Sequence, residues 1–483
     1  MKKYFYIIII FISSISAISQ NEIDALRYSQ MYYGGTARFA SMAGAFGALG
    51  ADASTSSINP AGLGVYNKSE FTFTPNLVFN NTSSEFMFNR YDRYRTNFNI
   101  NNLAYVGAFK TGQSSGLVAV NWGFNYNRLN NYHYDTYFQG VNNSSSYSDV
   151  FAANSNGYGI EQLNLYREKL AWETYVIDSK DSINKIYETA LPNYGEMQKK
   201  EIYRKGYMGE VDFSFGLNYN HKFYWGLTVG WVWTRFNEDS YFTETDHDGS
   251  INNFNYFNYN EFLHTTGGGI NLKTGFIYSP VRFIRIGGAY HSPTWLTLED
   301  NYVTKMSSSF DDVGSIGPVM SPSLWQRYNL RTPSRFLGSL AFIFGKMGIL
   351  SIDYEYVNYA WARYGSYYDF YPYDANQSII NTYKGAHNIK IGGEVRVNFV
   401  SFRGGFAFFD SPYQSYLSNA NSYTYQYTGG VGFNFNYYFI DLAYVHQTND
   451  VNYYLYNPNI AHVDRALITS NSNKFMITIG ARF

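Results

Sequence analysis

The sequence contains no cysteine, which excludes disulfide frameworks, thiolate metal sites and an acylated lipoprotein cysteine. Charged residues are also scarce: they make up 15% of the 483 residues, whereas a typical soluble domain has about 25%. The formal net charge is only -1, so no basic excess indicates nucleic acid as a partner. Long apolar runs are absent, which excludes a bundle of transmembrane helices.

Aromatic residues, by contrast, are abundant. They reach 20% of the chain, with 50 Tyr and 39 Phe, and many Asn, Ser and Gly accompany them. This composition favours strands with one apolar face and one polar face. A large secreted β-sandwich or propeller shares part of the profile, so the pattern of the strands has to decide between these classes.

The N-terminus is typical of a secretory signal. Lys2 and Lys3 supply positive charge, residues 4–12 form a short apolar run, and Ala17 and Ser19 are placed for cleavage before residue 20. The run is shorter than the roughly 20 apolar residues that a membrane-spanning helix needs. We therefore predict a signal peptide over residues 1–19. A membrane-embedded mature chain must then span the bilayer with strands, because backbone polar groups in lipid have to be paired internally.

From residue 70 onward, apolar and polar residues alternate with the period of two that marks a half-buried strand. In 210–220, Val211, Phe213, Phe215, Leu217 and Tyr219 share one face, and polar residues or glycines occupy the other. Such a strand has one side for lipid and one for a polar lumen. The pattern predicts an all-β fold, a 14-stranded antiparallel transmembrane β-barrel. Its strands are expected near 71–79, 98–110, 116–129, 209–220, 224–236, 267–278, 282–292, 333–344, 348–359, 386–397, 400–409, 423–436, 438–447 and 474–483.

The connections between these strands support the count. After every even-numbered strand the chain turns within a few residues, as at 111–115, 279–281 and 345–347. After the odd-numbered strands the connections are long, and the longest spans 130–208. Short turns at one end and long loops at the other are typical of bacterial outer-membrane barrels, whereas a propeller or sandwich has no reason to sort its loops in this way. We therefore predict a barrel domain over 67–483 with long extracellular loops.

Charged residues within the predicted strands fall on the polar face. A Lys or Arg on the lipid face at the bilayer midplane costs about 2–4 kcal/mol, so these groups are expected to face the lumen. The predicted inward set is Glu210, Asp212, Lys273, Arg285, Asp353, Glu355, Lys390, Glu394, Arg396, Arg403, Asp441 and Arg482.

The last strand ends in an aromatic residue. Phe475, Ile477, Ile479 and Ala481 alternate outward before Phe483. A closing strand with a terminal aromatic is the signal that outer-membrane assembly machinery commonly reads, so we predict that machinery and outer-membrane lipid as partners.

Residues 20–66 do not alternate and are predicted to form a small N-terminal hatch, or plug, inside the lumen. Helices are expected at 24–30 and 40–49. The glycines of 44–50 lack the βαβ context of a dinucleotide site. Asn59 can cap a helical turn that starts at Pro60 and ends at Gly62, and Asp52 with Ser54 can staple another turn. The predicted hatch motif is therefore Asp52, Ser54, Asn59, Pro60, Ala61 and Gly62.

The stretch 44–62, GAFGALGADASTSSINPAG, resembles the N-terminal hatch of FadL-type outer-membrane transporters of long-chain fatty acids and other hydrophobic compounds. The resemblance is moderate around 274–278 and 291–294, and elsewhere it is a matter of strand pattern. It implies fourteen strands around a small plug, capture of ligand by extracellular loops, and rearrangement of the hatch. It also implies that ligand is released through a gap in the barrel wall, beside a strand that kinks inward. Gly123 is one candidate for the position of that kink.

The resemblance favours uptake of hydrophobic small molecules such as fatty acids or detergent-like compounds. An amphipathic helix at 182–191, with Ile183, Ile186, Tyr187 and Leu191 on one face, is a candidate capture loop, although the same face can simply pack on a neighbouring helix. A carboxylate head group needs an inward cation, and Arg285, Lys390 and Arg403 are the candidates. Most lumenal arginines, however, form ion pairs that brace the wall.

Other functions remain as alternatives. A PorV-like barrel would act as an interaction or shuttle protein in protein secretion. An outer-membrane enzyme is not supported, because the eight histidines are scattered and no nucleophile, base and acid group together. No His pair has the i,i+4 spacing of a zinc site, so we expect neither a metal nor another cofactor. A TonB-dependent receptor needs about 22 strands, more than this chain provides.

Overall fold

The computed structural model describes residues 21–366 and 372–483. The predicted signal peptide, residues 1–19, lies outside the described residues. No helix in the described part of the chain has the length and apolar character needed to cross a membrane.

Strands dominate the described residues. In chain order they are β1 (Glu70–Phe86), β2 (Asn89–Lys110), β3 (Leu117–Asn131), β4 (Tyr134–Asn142), β5 (Ile177–Asp181), β6 (Ile186–Thr189), β7 (Glu196–Tyr219), β8 (Phe223–Thr245), β9 (Phe254–Val281), β10 (Ile284–His291), β11 (Trp295–Phe310), β12 (Gly314–Met320), β13 (Leu324–Arg331), β14 (Arg335–Phe344), β15 (Gly348–Asn358), β16 (Arg363–Gly365), β17 (Gly385–Val397), β18 (Val400–Phe409), β19 (Thr424–Asn434), β20 (Tyr438–Tyr453) and β21 (Ala466–Arg482).

The helices are short. They are α1 (Glu22–Ser29), α2 (Ala37–Ser41), α3 (Thr55–Ile58), α4 (Tyr147–Ser155), α5 (Glu168–Glu173) and α6 (Tyr373–Thr382), with 3-10 turns at Pro60–Val65, Ile160–Gln162 and Tyr359–Trp361.

Fourteen of these strands form a closed antiparallel barrel, in the order β1, β2, β3, β7, β8, β9, β10, β14, β15, β17, β18, β19, β20, β21. The last strand pairs with the first, with Phe73 opposite Ile479, so the barrel has no free edge at its seam. Each of the fourteen predicted strands corresponds to one of these, and the predicted fold class is confirmed.

Several strands continue well beyond the predicted ends. β7 begins at Glu196, and β9 runs for 28 residues. The predicted loop 130–208 therefore contains β4, which pairs with the upper part of β7. Above the bilayer neither face of a strand meets lipid, so the apolar alternation that identifies membrane-spanning segments is lost there.

An apolar belt covers the outside of the barrel. Val229, Trp231 and Ile477 are 48%, 67% and 45% exposed, whereas the neighbouring Thr228 and Thr478 are fully buried on the lumen side. Because a soluble protein of this kind would instead bury its large apolar side chains, the belt identifies a barrel of the bacterial outer membrane. Other members of the belt are Phe71, Leu77, Phe98, Leu103, Phe213, Phe215, Leu272, Phe276, Phe336, Leu340, Leu350, Ile352, Ile389, Ile391, Phe402, Ile440, Leu442 and Phe475.

An extracellular cap covers one end of the barrel. The long connections and the extended ends of β1, β7, β8, β9 and β11 enclose a hydrophobic core that includes Phe138, Phe151 and Phe257. The opposite, periplasmic end carries the short turns.

Candidate functional site

The lumen holds the N-terminal segment 21–66, and one local network gives this segment its shape. The hydroxyl of Thr36 donates to both carboxylate oxygens of Asp52 at 3.0 and 2.9 Å, and the amide of Ser54 donates to Asp52 Oδ1 at 3.0 Å. The amide of Thr36 in turn donates to Ser54 Oγ at 2.8 Å. All three side chains are buried, so Asp52 ties two distant turns of the segment together.

The predicted turn at Asn59 is present but longer than expected. Asn59 Oδ1 accepts from the amide of Ala61 at 3.2 Å, and Pro60 starts a 3-10 turn that continues to Val65 instead of ending at Gly62. The helix predicted at 40–49 is wrong. Helix α2 ends at Ser41, because Ala43 and Gly44 adopt positive φ angles of 53° and 74° that a right-handed helix cannot contain.

Hydrogen bonds connect the segment to the barrel wall on several sides. Ser57 Oγ donates to Asp212 Oδ2 at 2.5 Å, Asn59 Nδ2 donates to the carbonyl of Phe276 at 3.0 Å, and the amide of Gly47 donates to Asp353 Oδ2 at 2.8 Å. Both side-chain and backbone groups of the segment are therefore bonded to the wall, and Asp353 satisfies a backbone amide that would otherwise lack a partner.

Inward-facing glycines let the segment approach the wall closely. A β-carbon at Gly226 would lie 2.2 Å from the carbonyl carbon of Pro60, and one at Gly275 would lie 2.2 Å from Asn59 Oδ1. These distances are shorter than a van der Waals contact, so any larger residue would displace the segment. The same holds on the far side of the lumen at Gly392, which faces Met42.

Above the segment lies a cavity of about 450 Å³. Its floor includes Tyr32, Tyr33 and Phe39, and its walls mix apolar residues with amide and hydroxyl groups. No described carboxylate lines the cavity, although five cations do: Arg27, Arg128, Arg204, Lys390 and Lys474. Arg27 and Arg204 are paired with Asp24 and Glu238, whereas Lys390 and Lys474 have no such ion pair among the described residues. A partly apolar chamber with such lysines suits a ligand with an apolar body and an anionic or polar end.

The three predicted head-group residues have different surroundings. Arg403 is enclosed by Glu394 and Asp441, with N–O distances of 2.7 and 2.6 Å. Arg285 donates to the carbonyl of Leu49 at 2.5 Å and does not line the cavity. Lys390 alone of the three lines the cavity, 5.7 Å from the ring centre of Phe409, and no described carboxylate lies within 4 Å of its Nζ.

Lys474 is a cavity residue that sequence reasoning missed. Its Nζ donates to Gln447 Oε1 at 3.0 Å, and within the described chain it has no carboxylate partner. The signal was present in the sequence: Lys474 alternates with the outward residues Phe475 and Ile477, so its side chain has to point inward.

The remaining predicted inward charges mostly brace the wall. Lys273 contacts Glu210 and lies 3.5 Å from Asp212, and Arg335 pairs with Glu355 at 3.0 Å. The four predicted residues of these two clusters are buried, and so is Arg335, which the predicted set did not contain. Arg396 and Arg482 lie at the periplasmic rim, where they pair with Glu394 and Glu70.

The wall is interrupted between β2 and β3. These strands pair only from Asn102 opposite Asn127 to Lys110 opposite Ala119, although both continue further toward the cell exterior. There β3 binds the N-terminal segment instead, since the amide of Gly34 donates to the carbonyl of Arg128 at 2.9 Å.

The cavity reaches this interruption, because Asn101 on β2 and Arg128 on β3 both line it. Gly123, the predicted kink candidate, pairs regularly with both neighbouring strands: it is opposite Val106 on β2 and Ser214 on β7. The register of β3 against β7 shifts instead between Leu117 and Ala119 and between Arg128 and Asn130, and the second shift lies beside the interruption.

The predicted capture helix at 182–191 is wrong. Its residues form a β-hairpin, in which β5 and β6 pair around a turn where Asp181 Oδ1 accepts from the amides of Ile183 and Asn184 at 2.9 and 3.0 Å. Ile183 and Ile186 are 89% and 42% exposed, whereas Tyr187 and Leu191 are buried in the core of the cap. The four residues therefore do not share one face.

Among the described residues, no group of three or more His, Asp or Glu side chains is arranged to hold a metal ion. No protein-family model and no curated protein matches the chain.

Solved structures do match the chain, over almost its whole length. A FadL homologue of Pseudomonas aeruginosa is 12% identical, with a TM-score of 0.58, over 93% of this chain and 98% of that one. The toluene transporter TodX of P. putida is 11% identical with a TM-score of 0.51, and the toluene transporter TbuX of Ralstonia pickettii is 15% identical with a TM-score of 0.50. Each of the two covers 94% of this chain and 99% of its own. Identities this low establish the fold and not the ligand, and the chain therefore has the FadL-type barrel fold.

Proposed function

We propose that this barrel takes up hydrophobic small molecules through the outer membrane, and that its ligands are amphiphiles with an anionic end, such as long-chain fatty acids. The observation that carries the proposal is the cavity above the N-terminal segment, with its aromatic floor and two lysines, Lys390 and Lys474, that form no ion pair among the described residues. Structural neighbours described as toluene transporters support the apolar half of this ligand class.

Two lysines are suited to meet the anionic end. Most lumenal cations are already neutralised by ion pairs, but Lys390 and Lys474 line the cavity with no carboxylate within 4 Å among the described residues. A cation that faces a partly desolvated chamber with no carboxylate in direct contact gains a charge-assisted hydrogen bond when a carboxylate enters. The acyl chain would then lie against Phe39, Phe409 and Val445.

Residues 21–66 act as a hatch in this proposal. They fill the lumen below the cavity and close the direct route to the periplasm. The interruption between β2 and β3 offers a second route, from the cavity sideways into the bilayer. Movement of residues 32–34 away from β3 would widen it, because these residues occupy the edge of β3 that β2 leaves unpaired.

The extracellular cap supplies the first contact with ligand. Ile183 and Ile186 project from the hairpin of β5 and β6, and they can receive an apolar molecule before it reaches the lumen. Tyr187 and Leu191 anchor that hairpin in the cap.

Binding of palmitate and of toluene to the purified barrel tests the proposal. Lys390→Met with Lys474→Met should weaken palmitate binding at least about tenfold, because two charge-assisted hydrogen bonds are lost, while toluene binding stays within about twofold. The control is Arg282→Met with Lys346→Met, which removes two charges from exposed periplasmic turns and should leave the binding of both compounds unchanged. Equal palmitate binding by the double variant would refute the head-group assignment, and failure of the unmodified barrel to bind either compound would refute the transport proposal.

A further inference from the structure

Two arginines face each other on the outside of the barrel, where a bilayer would end. Arg331 closes β13 and Arg363 opens β16, and the two residues are directly opposite in the antiparallel register. Burial and the nearby charge of Arg331 both lower the pKa of Arg363. Like charges directly opposite on neighbouring strands destabilise a sheet, so this arrangement needs an explanation.

In the described part of the chain, no acidic group compensates the pair. Within residues 21–366 and 372–483, no carboxylate lies within 4 Å of either guanidinium. Arg363 Nη1 donates to the carbonyls of Ala360 and Ala362, both at 2.6 Å, which fixes its orientation. Arg331 is exposed to the outside. Glu299 on the adjacent strand lies opposite Arg327, four residues from Arg331 along β13.

The pair continues a row of lipid-facing residues. Successive cross-strand partners are Trp231 with Ile270, Ile270 with Trp295, Trp295 with Arg331, and Arg331 with Arg363. Trp231, Ile270 and Trp295 are all exposed on the outer surface. The two arginines therefore lie on the same outer face as the tryptophans, and Arg331 is the direct register neighbour of Trp295.

This row lies just below the upper boundary of the belt on β8 and β9, where the partly exposed Trp233 is opposite Gly268. On the same outer face toward the periplasm, Val229 is opposite Leu272. Toward the exterior, Arg235 is opposite Thr266. Exposed tryptophans at such a boundary are typical of the interface between acyl chains and head groups.

We propose that Arg331 and Arg363 bind the phosphate of a phosphorylated lipid in the outer leaflet. Two adjacent guanidiniums match the geometry of a phosphate, and a bridging anion removes the repulsion between them. The lipid's acyl chains would lie on the belt below, with Trp295 and Trp361 beside the head group. The inference does not depend on what the lumen carries.

Lipid binding to the purified full-length barrel in nanodiscs of phosphatidylcholine tests the proposal. The probes are diphosphorylated lipid A and dephosphorylated lipid A with the same acyl chains, and native mass spectrometry measures the bound fraction. The unmodified barrel should prefer the phosphorylated probe, and Arg331→Gln with Arg363→Gln should reduce that preference at least about tenfold.

The control variant is Arg282→Gln with Lys346→Gln, which removes the same charge from exposed periplasmic turns. It should bind lipid A like the unmodified barrel. Inorganic phosphate at millimolar concentration should not displace the lipid, and displacement would show a site for free phosphate instead. The proposal would be overturned if the arginine-pair variant and the control variant preferred phosphorylated lipid A equally, or if the unmodified barrel showed no such preference. Heat-modified migration in gels confirms that each variant is folded.

Discussion

The carboxylate of Glu394 on β17 joins the hatch to the wall. Its Oε2 accepts from Arg38 of the hatch at 3.1 Å and from Arg403 of β18 at 2.7 Å. Glu394 is buried, and Arg403 is compensated further by Asp441. A single acidic group thus neutralises a hatch cation and a wall cation together.

Replacement of that carboxylate should loosen the hatch. Glu394→Gln leaves Arg38 buried without a counter-ion, which should weaken hatch docking by about 3 kcal/mol. Amide hydrogen exchange over residues 36–42 measures the change. Glu85→Gln is the control, because Glu85 forms only an exposed pair with Arg90 at 3.7 Å, which contributes less than about 1 kcal/mol. Unchanged exchange in Glu394→Gln would contradict the structural role of this group.

A second prediction uses two glycines on opposite faces of the wall. Gly275→Ala should displace the hatch near Asn59, because the new methyl group would lie 2.2 Å from Asn59 Oδ1. A clash of this kind costs about 1–3 kcal/mol and should increase channel conductance in planar bilayers. Gly338→Ala faces outward with nothing within 4 Å and should behave like the unmodified barrel. Equal conductance of the two variants would argue against close packing of the hatch.

The cap contains two buried carboxyl groups that pair with no cation of the described chain, Glu196 and Glu244, both located above the membrane-spanning parts of β7 and β8. Gln198 Nε2 donates to Glu196 Oε1 at 3.3 Å and to Glu244 Oε1 at 2.8 Å. Burial, followed by repulsion from Glu244, raises the pKa of Glu196 to about 9. Burial raises the pKa of Glu244 to about 8.

These shifts make the cap sensitive to alkaline pH. A carboxyl group whose pKa is higher in the folded state stabilises that state fully below its unfolded pKa of about 4.3, and this stabilisation is lost as pH rises through the folded pKa. Because both groups are shifted, we expect amide protection in α4, corrected for intrinsic exchange, to fall by up to about a hundredfold per pH unit between pH 5 and about 8, and by up to about tenfold per unit from there to about 9. Glu196→Gln leaves only the Glu244 carboxyl and should reduce this dependence to about tenfold per pH unit, whereas Glu188→Gln on the exposed hairpin should not change it. A flat profile in the unmodified protein would contradict the burial of this pair.

Much of the barrel could be predicted because the bilayer imposes one rule on every strand. Lipid outside and water inside force the alternation seen at Val211 and Phe213, and the cost of a charge in lipid places Asp353 and Glu394 inward. The helix-capping role of Asn59 was also predictable, because its side chain bonds the backbone amide only two residues further along the chain.

The features that were predicted wrongly, or not predicted at all, depend on tertiary packing. The spacing of Ile183, Ile186 and Tyr187 fits a helix, but the turn at Asp181 creates a hairpin whose two faces meet different surroundings. The extended ends of β7 and β9 are stabilised by pairing above the bilayer, which leaves no alternation in the sequence. The wall interruption arises because the hatch takes the place of β2 beside Arg128, and this long-range competition has no local signal.

The central claim is that ligand passes only when the hatch moves, and a reversible lock tests it most directly. The chain has no native cysteine, so Gly34→Cys with Asn101→Cys introduces the only two thiols, at a point where a β-carbon on Gly34 would lie 2.2 Å from Asn101 Oδ1. Uptake of labelled palmitate into cells is measured before and after reduction, with each single cysteine variant as a control. The account predicts that the oxidised double variant loses uptake at least about tenfold and that reduction restores it. Undiminished uptake by the fully oxidised double variant would contradict it.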